Sequence, residues 1–419
     1  MVLGPALLDP APSARTPVVA FVARRRVWSA LWVTTVVAAS QAFGRALSIS
    51  GVDGYLLLTC WTVVSAVLLT LVAWPQPIRV LGVSRWLALL LVWAGLSTLW
   101  SPDPLQTVKE LVAVGSLLLC GIAGAKAGAR QVAVLTCAAL TVLGAVSVAL
   151  VVLAPGVGTV VALESADGST RWAVGVFGWN SAFGMAGSLG GVLAAGLWLD
   201  LPSASRRVIR AAAPWAVVLL VNVGVILVSR SATDLVSFAA GLVVISVVRW
   251  HWVRVAALVV ACVVALGAAL GRLEDWASFA LGLLGRDLDL TGRLPIWRLM
   301  LDVTEYRRIG GLGFGNSPDI SEILGATVPH SHNGYLQMLL ELGWTGLLLF
   351  ALLLIQVTVR LVRAQAWPWL GVLGVFLVAN VANDYALSRS IATLMLGLLV
   401  SVAAARHLSQ DPGDATDPP

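Results

Sequence analysis

The sequence predicts an all-α membrane protein with about 12 transmembrane helices and a long, partly helical extracytoplasmic loop between the ninth and tenth. Of the 419 residues, 59% are hydrophobic and 11% are charged, and the mean hydropathy is +0.91. A soluble domain carries about 25% charged residues and needs a polar exterior. Soluble and disordered classes are therefore excluded.

Apolar runs long enough to cross a bilayer recur along the chain, and each needs about 20 residues. The predicted spans are 28–46, 54–74, 85–101, 107–125, 131–154, 181–200, 211–229, 231–249, 253–271, 334–361, 366–384 and 389–405. One long helix interrupted at Arg230 would also explain the two segments beside that residue. The resulting regions are a cytoplasmic segment 1–27, spans within 28–271, the extracytoplasmic loop 272–333 with the candidate site residues, spans within 334–405, and a disordered cytoplasmic tail 406–419.

Charge placement predicts the orientation of the spans. Most of the 27 basic residues fall in connections that are cytoplasmic if the N-terminus is cytoplasmic. The positive-inside rule therefore places both termini in the cytoplasm and the long loop outside. A cleaved signal peptide is an alternative, because Arg24–Arg26 precede an apolar run that leads to Ala38–Gln41.

A group of arginines lies on the predicted outer side, against this trend. They are Arg171, Arg230, Arg272, Arg286, Arg293, Arg298, Arg307, Arg308 and Arg389. The planar fork of arginine suits diphosphate oxygens, so an anionic ligand is one explanation. The other explanation is pairing within a folded loop, with Asp287, Asp289, Asp302, Glu305 and Asp319. Arg230 favours the ligand, because a charge at that depth needs an anionic partner.

Two of the four histidines, His330 and His332, lie directly before a long apolar helix. Histidine can exchange a proton near neutral pH, and the positive end of the helix dipole favours a neutral imidazole beside an anionic group. These residues predict a general base. The alternatives are a helix cap, or a metal site for which no third ligand is evident.

Other polar and glycine-rich segments allow two interpretations each. Gly310–Gly315 (GGLGFG) predicts a tight turn back to the membrane, or a cradle of amides for phosphate. The polar residues of Ser229–Asp234, and Asn380, Asn383 and Asp384, lie at outer span ends, where they could pack helices or serve function.

Several kinds of ligand are not expected. The four cysteines lie apart in apolar runs, which predicts neither a disulfide framework nor a metal site. The basic residues form no stripe with interleaved aromatics, so no nucleic acid is expected. The chain predicts no cofactor.

Five segments together resemble the bacterial O-antigen ligase and polymerase superfamily. His332-Asn333, nine residues, and then Gly343-Trp344-Thr345-Gly346 is similar to the His-Asn-x9-Gly-x-x-Gly signature of the O-antigen ligases. The other four resembling segments, in chain order, are 99–107, 175–184, 227–238 and 284–297.

The resemblance implies an inverting, metal-independent glycosyltransferase of the bacterial cytoplasmic (inner) membrane, acting in polysaccharide biosynthesis at the cell envelope. It would pass a glycan from a polyprenyl diphosphate carrier, such as undecaprenyl diphosphate, to an acceptor hydroxyl outside. Its partners would be this donor, a glycan, lipid or protein acceptor, and membrane lipids. The resemblance implies that His332 is the general base. It implies three diphosphate ligands, which are Arg230, Arg293 and Arg171, and three supporting residues, which are His330, Asn333 and Asn180.

Three alternatives stay open at this point. A polysaccharide polymerase would differ from a ligase only in its acceptor, which would be another carrier-linked glycan. A 12-helix secondary transporter should have internal repeats and a binding site at the bilayer midplane. No internal repeat is evident, and the polar residues gather at the outer surface. A non-catalytic scaffold would not need His332.

Overall fold

A computed structural model describes residues 15–44, 47, 53–74, 76–161, 171–201, 206–250, 253, 293–316 and 331–408. In these ranges the chain is almost entirely helical, with one two-stranded hairpin. Six of the described helices are long and apolar enough to cross a membrane, and shorter apolar helices of 10–17 residues accompany them. This confirms an all-α, multi-pass membrane protein. The number of twelve spans and the layout of the long loop stay predictions.

The helices and strands are numbered here in chain order. They are α1 (Arg15–Ala39), α2 (Gly54–Ala73), α3 (Gln76–Val83), α4 (Arg85–Leu96), a 3₁₀ turn (Ser97–Leu99), α5 (Pro104–Gly124), a second 3₁₀ turn (Ala125–Ala127), α6 (Ala129–Leu153), α7 (Pro155–Gly158), β1 (Thr159–Val161), β2 (Arg171–Ala173), α8 (Asn180–Leu199), α9 (Arg206–Ser229), α10 (Ala232–Arg249), α11 (Arg293–Tyr306), α12 (Gly334–Ala364), α13 (Trp367–Ala382) and α14 (Ile391–Leu408).

Each predicted span except 253–271 overlaps one of these helices, and 253–271 lies almost wholly outside the described residues. The structure has two helices on either side of Arg230 and not one broken helix. The second helix, α10, starts afresh because the Ser231 hydroxyl accepts from the Asp234 amide and caps it. Helix α1 begins at Arg15, well inside the segment 1–27 that was expected to precede the first span. The antiparallel β1–β2 hairpin, which lies between the predicted spans 131–154 and 181–200, was not anticipated.

The connections between helices gather at two opposite ends of the bundle. At one end the Phe43 amide donates to the Val176 carbonyl at 2.7 Å, and the Gly334 amide donates to the Asn383 carbonyl at 2.8 Å. We call this the histidine end, because His332 lies there. At the other end, the short-loop end, Lys126 Nζ donates to the Val72 carbonyl at 2.8 Å. Which of these two ends is cytoplasmic stays a prediction.

Helix α8 is the most buried of the candidate spans, with 83% of its apolar window inside the protein. Close packing by small residues explains this central position. A Cβ on Gly190 would collide with the Asn222 side chain of α9, and one on Gly191 would lie 2.7 Å from the Phe238 ring of α10. Small residues let helices approach closely in a bilayer, where van der Waals contact drives association.

Several helices that start at the histidine end carry a polar N-cap. Asp53 accepts from the amides of the first turn of α2, Asp103 does so for α5, and Asn333 does so for α12. Pro104 follows Asp103 at the first helical position, where its missing N–H costs nothing. Such caps satisfy donors that would otherwise be left unpaired at the helix start.

Candidate functional site

Helix α11 lies across the histidine end and connects two sides of the bundle. Trp297 Nε1 donates to the Ser331 carbonyl at 3.0 Å, and Met300 packs against Leu340. After the helix ends, Arg307 Nη1 donates to the Trp100 carbonyl at 3.0 Å. The helix thereby covers the segment that carries His332 and ends beside α4.

His332 occupies a strained position between two buried neighbours. Its φ of 50° lies in the left-handed region that side chains other than glycine rarely adopt. Hydrogen bonds on both sides hold the turn: Ser331 Oγ donates to the Asn333 carbonyl at 2.7 Å, and the Asn333 amide donates back to Ser331 Oγ. Ser331 and Asn333 are buried while His332 is partly exposed. The turn therefore presents the imidazole at the start of α12.

Asn333 makes the N-cap that fixes this turn to the helix. Its Oδ1 accepts from the amides of Tyr335 and Leu336 at 3.0 and 3.1 Å. Because the N-terminus of a helix carries a partial positive charge, an anionic group is favoured beside His332. His330 lies outside the described residues.

A buried polar cluster lies below this turn, formed from α8, α10 and the connection after α13. Asp234 is fully buried, and neither of its carboxylate oxygens has a hydrogen-bond partner in the described ranges. A Cβ on Gly184 would meet the Asp234 carboxylate, so only glycine fits at that point of α8. Burial raises the pKa of Tyr385, and the neighbouring charge of Asp234 acts in the same direction. The Tyr385 hydroxyl is buried near Ser181 without a hydrogen bond of good geometry in the described part of the chain.

The predicted arginine ligands are placed in different surroundings. Arg293, the first residue of α11, lies within electrostatic range of Tyr385 and opposes the rise in its pKa. Arg230 is exposed in the turn between α9 and α10, with a φ of 54°. Arg171 is exposed on β2, where its Nε donates to Thr159 Oγ1 at 2.8 Å. Asn180 begins α8, one turn before Gly184. Their roles stay predictions.

Other outer arginines have partners in the protein, as the second interpretation of these residues proposed. Arg389 forms a two-pronged ion pair with Glu110, with N–O distances of 2.7 and 2.8 Å. Arg308 pairs with Glu305 at 3.4 Å, and both of these side chains are mainly exposed. Glu110 was not among the partners read from the sequence, which were sought within the loop alone.

The glycine-rich segment 310–315 fills a break in α12. Gly343 has a φ of 67° and a ψ of −170°, which interrupts the helix ten residues after its cap. The freed backbone groups bond to the loop: the amides of Leu312 and Gly313 donate to the carbonyls of Leu340 and Glu341, both at 2.9 Å. The Phe314 amide donates to Ser97 Oγ at 3.0 Å. These bonds favour the tight turn, because the same amides are occupied and cannot cradle phosphate.

A family model described as O-antigen ligase matches residues 215–351. Within these residues the chain is similar to the O-antigen ligases. The matched segment begins in α9 and ends in α12, so it includes Arg230, Arg293 and His332. No curated protein matches the chain.

Several polar residues at the histidine end are not among the candidates predicted from the sequence. Glu341 is 8% exposed, and Gln337 Nε2 donates to its carboxylate at 2.6 Å. Glu110 and Asp384 lie within electrostatic range of it. A charge inside an apolar segment is the signal that could have identified Glu110 and Glu341. In the described ranges, no group of three His, Cys, Asp or Glu residues could hold a metal ion.

Proposed function

We propose that this O-antigen ligase-like protein is an inverting glycosyltransferase at the outer face of a bacterial cytoplasmic membrane. It moves a glycan from a polyprenyl diphosphate carrier, such as undecaprenyl diphosphate, to an acceptor hydroxyl. The observation that carries this proposal is the O-antigen ligase match over residues 215–351, which spans His332 and two of the three proposed diphosphate ligands. The strained turn of His332 at a helix N-terminus supports a site for an anionic substrate.

In the proposed reaction the neutral His332 imidazole takes the proton of the acceptor hydroxyl. The acceptor oxygen forms a bond to the anomeric carbon from the face opposite the carrier. The bond between that carbon and the diphosphate oxygen breaks, and the diphosphate leaves with the electron pair. Arg230, Arg293 and Arg171 are the proposed ligands of this departing charge, and positively charged donors placed there stabilise the transition state without a metal.

The acceptor decides between two forms of this function. Transfer to a separate glycan, lipid or protein is ligation, whereas transfer to a second carrier-linked glycan is polymerisation. Both use the same base and the same leaving group. The O-antigen ligase match favours either form over a secondary transporter.

The test compares cells that produce the wild type with cells that produce His332→Ala at equal membrane levels. Loss of a general base lowers the rate of transfer by about 100- to 10,000-fold. We expect carrier-linked glycan to accumulate and the finished surface glycan to disappear, both measured by mass spectrometry. His407→Ala, the same substitution near the end of α14, is the matched control and should leave both pools unchanged.

Unchanged pools in His332→Ala would refute the catalytic role of this residue. The chemical nature of the missing product in a positive result identifies the acceptor. A product made of consecutive copies of one glycan unit would indicate polymerisation. A product with a single bond between the glycan and another molecule would indicate ligation.

A further inference from the structure

A cleft lies beside α4, at the opposite end of α11 from Arg293. It has a volume of about 590 Å³, within the range of about 300–1,000 Å³ that is typical of ligand sites. Its walls are formed by Trp93, Trp100 and the segment 305–311. Neither His332 nor any proposed diphosphate ligand lines it.

Two tryptophans give the cleft a rigid apolar wall. The rings of Trp93 and Trp100 lie 5.3 Å apart at an angle of 51°. Both indole N–H groups are already bonded to backbone oxygens, Trp93 to Leu342 at 3.0 Å and Trp100 to Gly310 at 3.1 Å. With the polar atoms satisfied, the ring surfaces are left to contact an apolar ligand.

Apolar side chains beside the cleft are strongly exposed. Leu99 is 81% exposed, Ile309 is 72% exposed and Trp344 is 58% exposed. Trp344 adjoins the cleft through its amide, which donates to the Arg308 carbonyl at 2.8 Å. Exposed apolar side chains at the end of a membrane-spanning bundle suit contact with a hydrocarbon chain.

The segment 305–311, which forms one wall of the cleft, adds positive charge to this apolar surface. Arg307 is held by its bond to the Trp100 carbonyl at 3.0 Å. Arg308 forms an ion pair with Glu305 at 3.4 Å, and the two side chains are 65% and 69% exposed. Such exposed pairs contribute little stability, so the Arg308 guanidinium can turn to a phosphate at small cost.

We propose that this cleft binds one anionic phospholipid, with its headgroup phosphate on Arg308 and an acyl chain along Trp93 and Trp100. The combination of a cationic rim with an open apolar surface fits a phosphate group on a hydrocarbon chain. This inference does not rest on the proposed transfer reaction. The 14 residues of α11 extend about 21 Å, which separates the cleft from Arg293.

The test measures lipid binding to the purified full chain by native mass spectrometry. The probes are phosphatidylglycerol and phosphatidylcholine with identical acyl chains. We expect phosphatidylglycerol to bind more tightly, and Arg308→Gln to weaken it by about fivefold, because one basic residue near a lipid phosphate contributes about 1 kcal/mol. Arg298→Gln removes the same charge from an exposed position of α11 outside the cleft, and it should bind like the wild type.

Two further measurements define the ligand. Glycerol phosphate, which lacks the acyl chains, should not displace phosphatidylglycerol. Arg308→Lys should restore most of the affinity, since it restores the charge.

His332→Ala should bind phosphatidylglycerol normally even though it abolishes the proposed transfer, so the two proposals can fail separately.

The proposal is overturned if Arg308→Gln and Arg298→Gln bind the two lipids alike, or if the two lipids bind the wild type equally. Displacement of phosphatidylglycerol by an equal concentration of polyprenyl phosphate would also overturn it, because the occupant would then be the carrier lipid.

Discussion

The two ends of the helix bundle differ in how much backbone strain they hold. In the described ranges, one non-glycine residue with a positive φ, Gln365, lies at the short-loop end. Those at the histidine end are Gln41, Phe43, Arg230, His332 and Leu387. Strained residues persist only where the surrounding structure holds them, and they cluster at functional sites. The difference therefore supports the histidine end as the functional one.

Buried polar groups show the same contrast. At the histidine end, side chains with a buried polar atom that lacks a hydrogen-bond partner within the described ranges are Asp234, Asn316, Asn380, Asn383 and Tyr385. The others, Ser65, Thr70 and Asn222, lie within α2 and α9. Each such group costs free energy, because its interaction with water is lost without replacement.

The short-loop end has the features of a membrane anchor. Arg249 lies over the rings of Trp250 and Trp367, at 6.0 and 5.4 Å from their centres, and Arg85 lies 4.8 Å from that of Trp86. Tryptophan and arginine at span ends are typical of the interface between hydrocarbon and water. The comparison separates an end that anchors the bundle from an end that is organised around polar groups.

The largest effect on stability is expected from Gly343→Ala, which acts on the strained end. The φ and ψ of Gly343 suit glycine alone, and an added Cβ would collide with the Ile309 carbonyl. We expect a loss of about 3 kcal/mol or more, measured as a lower unfolding temperature of the purified protein. Gly224→Ala in α9 is the control, because nothing lies within 4 Å of a Cβ added there. Equal unfolding temperatures for the two variants would contradict the role given to the break.

A smaller effect sharpens the comparison within the histidine end itself. Asn333→Ala and Asp53→Ala each remove a side-chain N-cap, so each should cost about 1 kcal/mol of stability. Only Asn333→Ala should lower glycan transfer, because its cap holds the turn of His332. Asn333→Asp keeps the cap and should retain stability. The functional distinction fails if Asp53→Ala, at matched stability, lowers transfer as strongly as Asn333→Ala.

The smallest effect concerns Asp200 at the short-loop end. Burial raises the pKa of Asp200 above its ordinary value of 3.8, while the charges of Arg130 and Arg249 act in the opposite direction. The folded protein thus holds this proton to a higher pH than the unfolded chain, and stability falls as the pH rises from about 3.8 through the folded pKa. Asp200→Asn should lack this decrease and be at least as stable as the wild type at neutral pH. Unfolding temperatures measured between about pH 4 and pH 7 test this, and a relative gain of the wild type with rising pH would contradict it.

The sequence predicts the helices well because crossing a bilayer imposes a length and an apolar composition that can be read locally. Helix α1 extends before the predicted span 28–46, through Arg24–Arg26, because apolar composition marks the span and not the start of the helix. The break at Gly343 was missed for another reason. Residues 334–361 form one apolar run, and the break depends on hydrogen bonds from 308–313, which sequence spacing does not reveal.

The sequence proposes residues for the candidate site, whereas the contacts that hold them come from the fold. The match over residues 215–351 agrees with the recognised motif around His332. The pair between Glu110 and Arg389 joins α5 to the start of α14, and no local pattern connects residues so far apart. The same holds for Tyr385 and Ser181, which meet only after α8 and α13 have packed.

The contacts of residue 389 have a consequence for the order of biosynthesis. Gln41, from the first connection of the chain, donates to the Arg389 carbonyl at 2.6 Å, and Glu110 holds the guanidinium of the same residue. The first connection of the chain and the segment that precedes α14 therefore meet at a single residue. This contact can form only after residue 389 has been synthesised and inserted, so the first connection of the chain lacks this partner until translation has passed the start of α14.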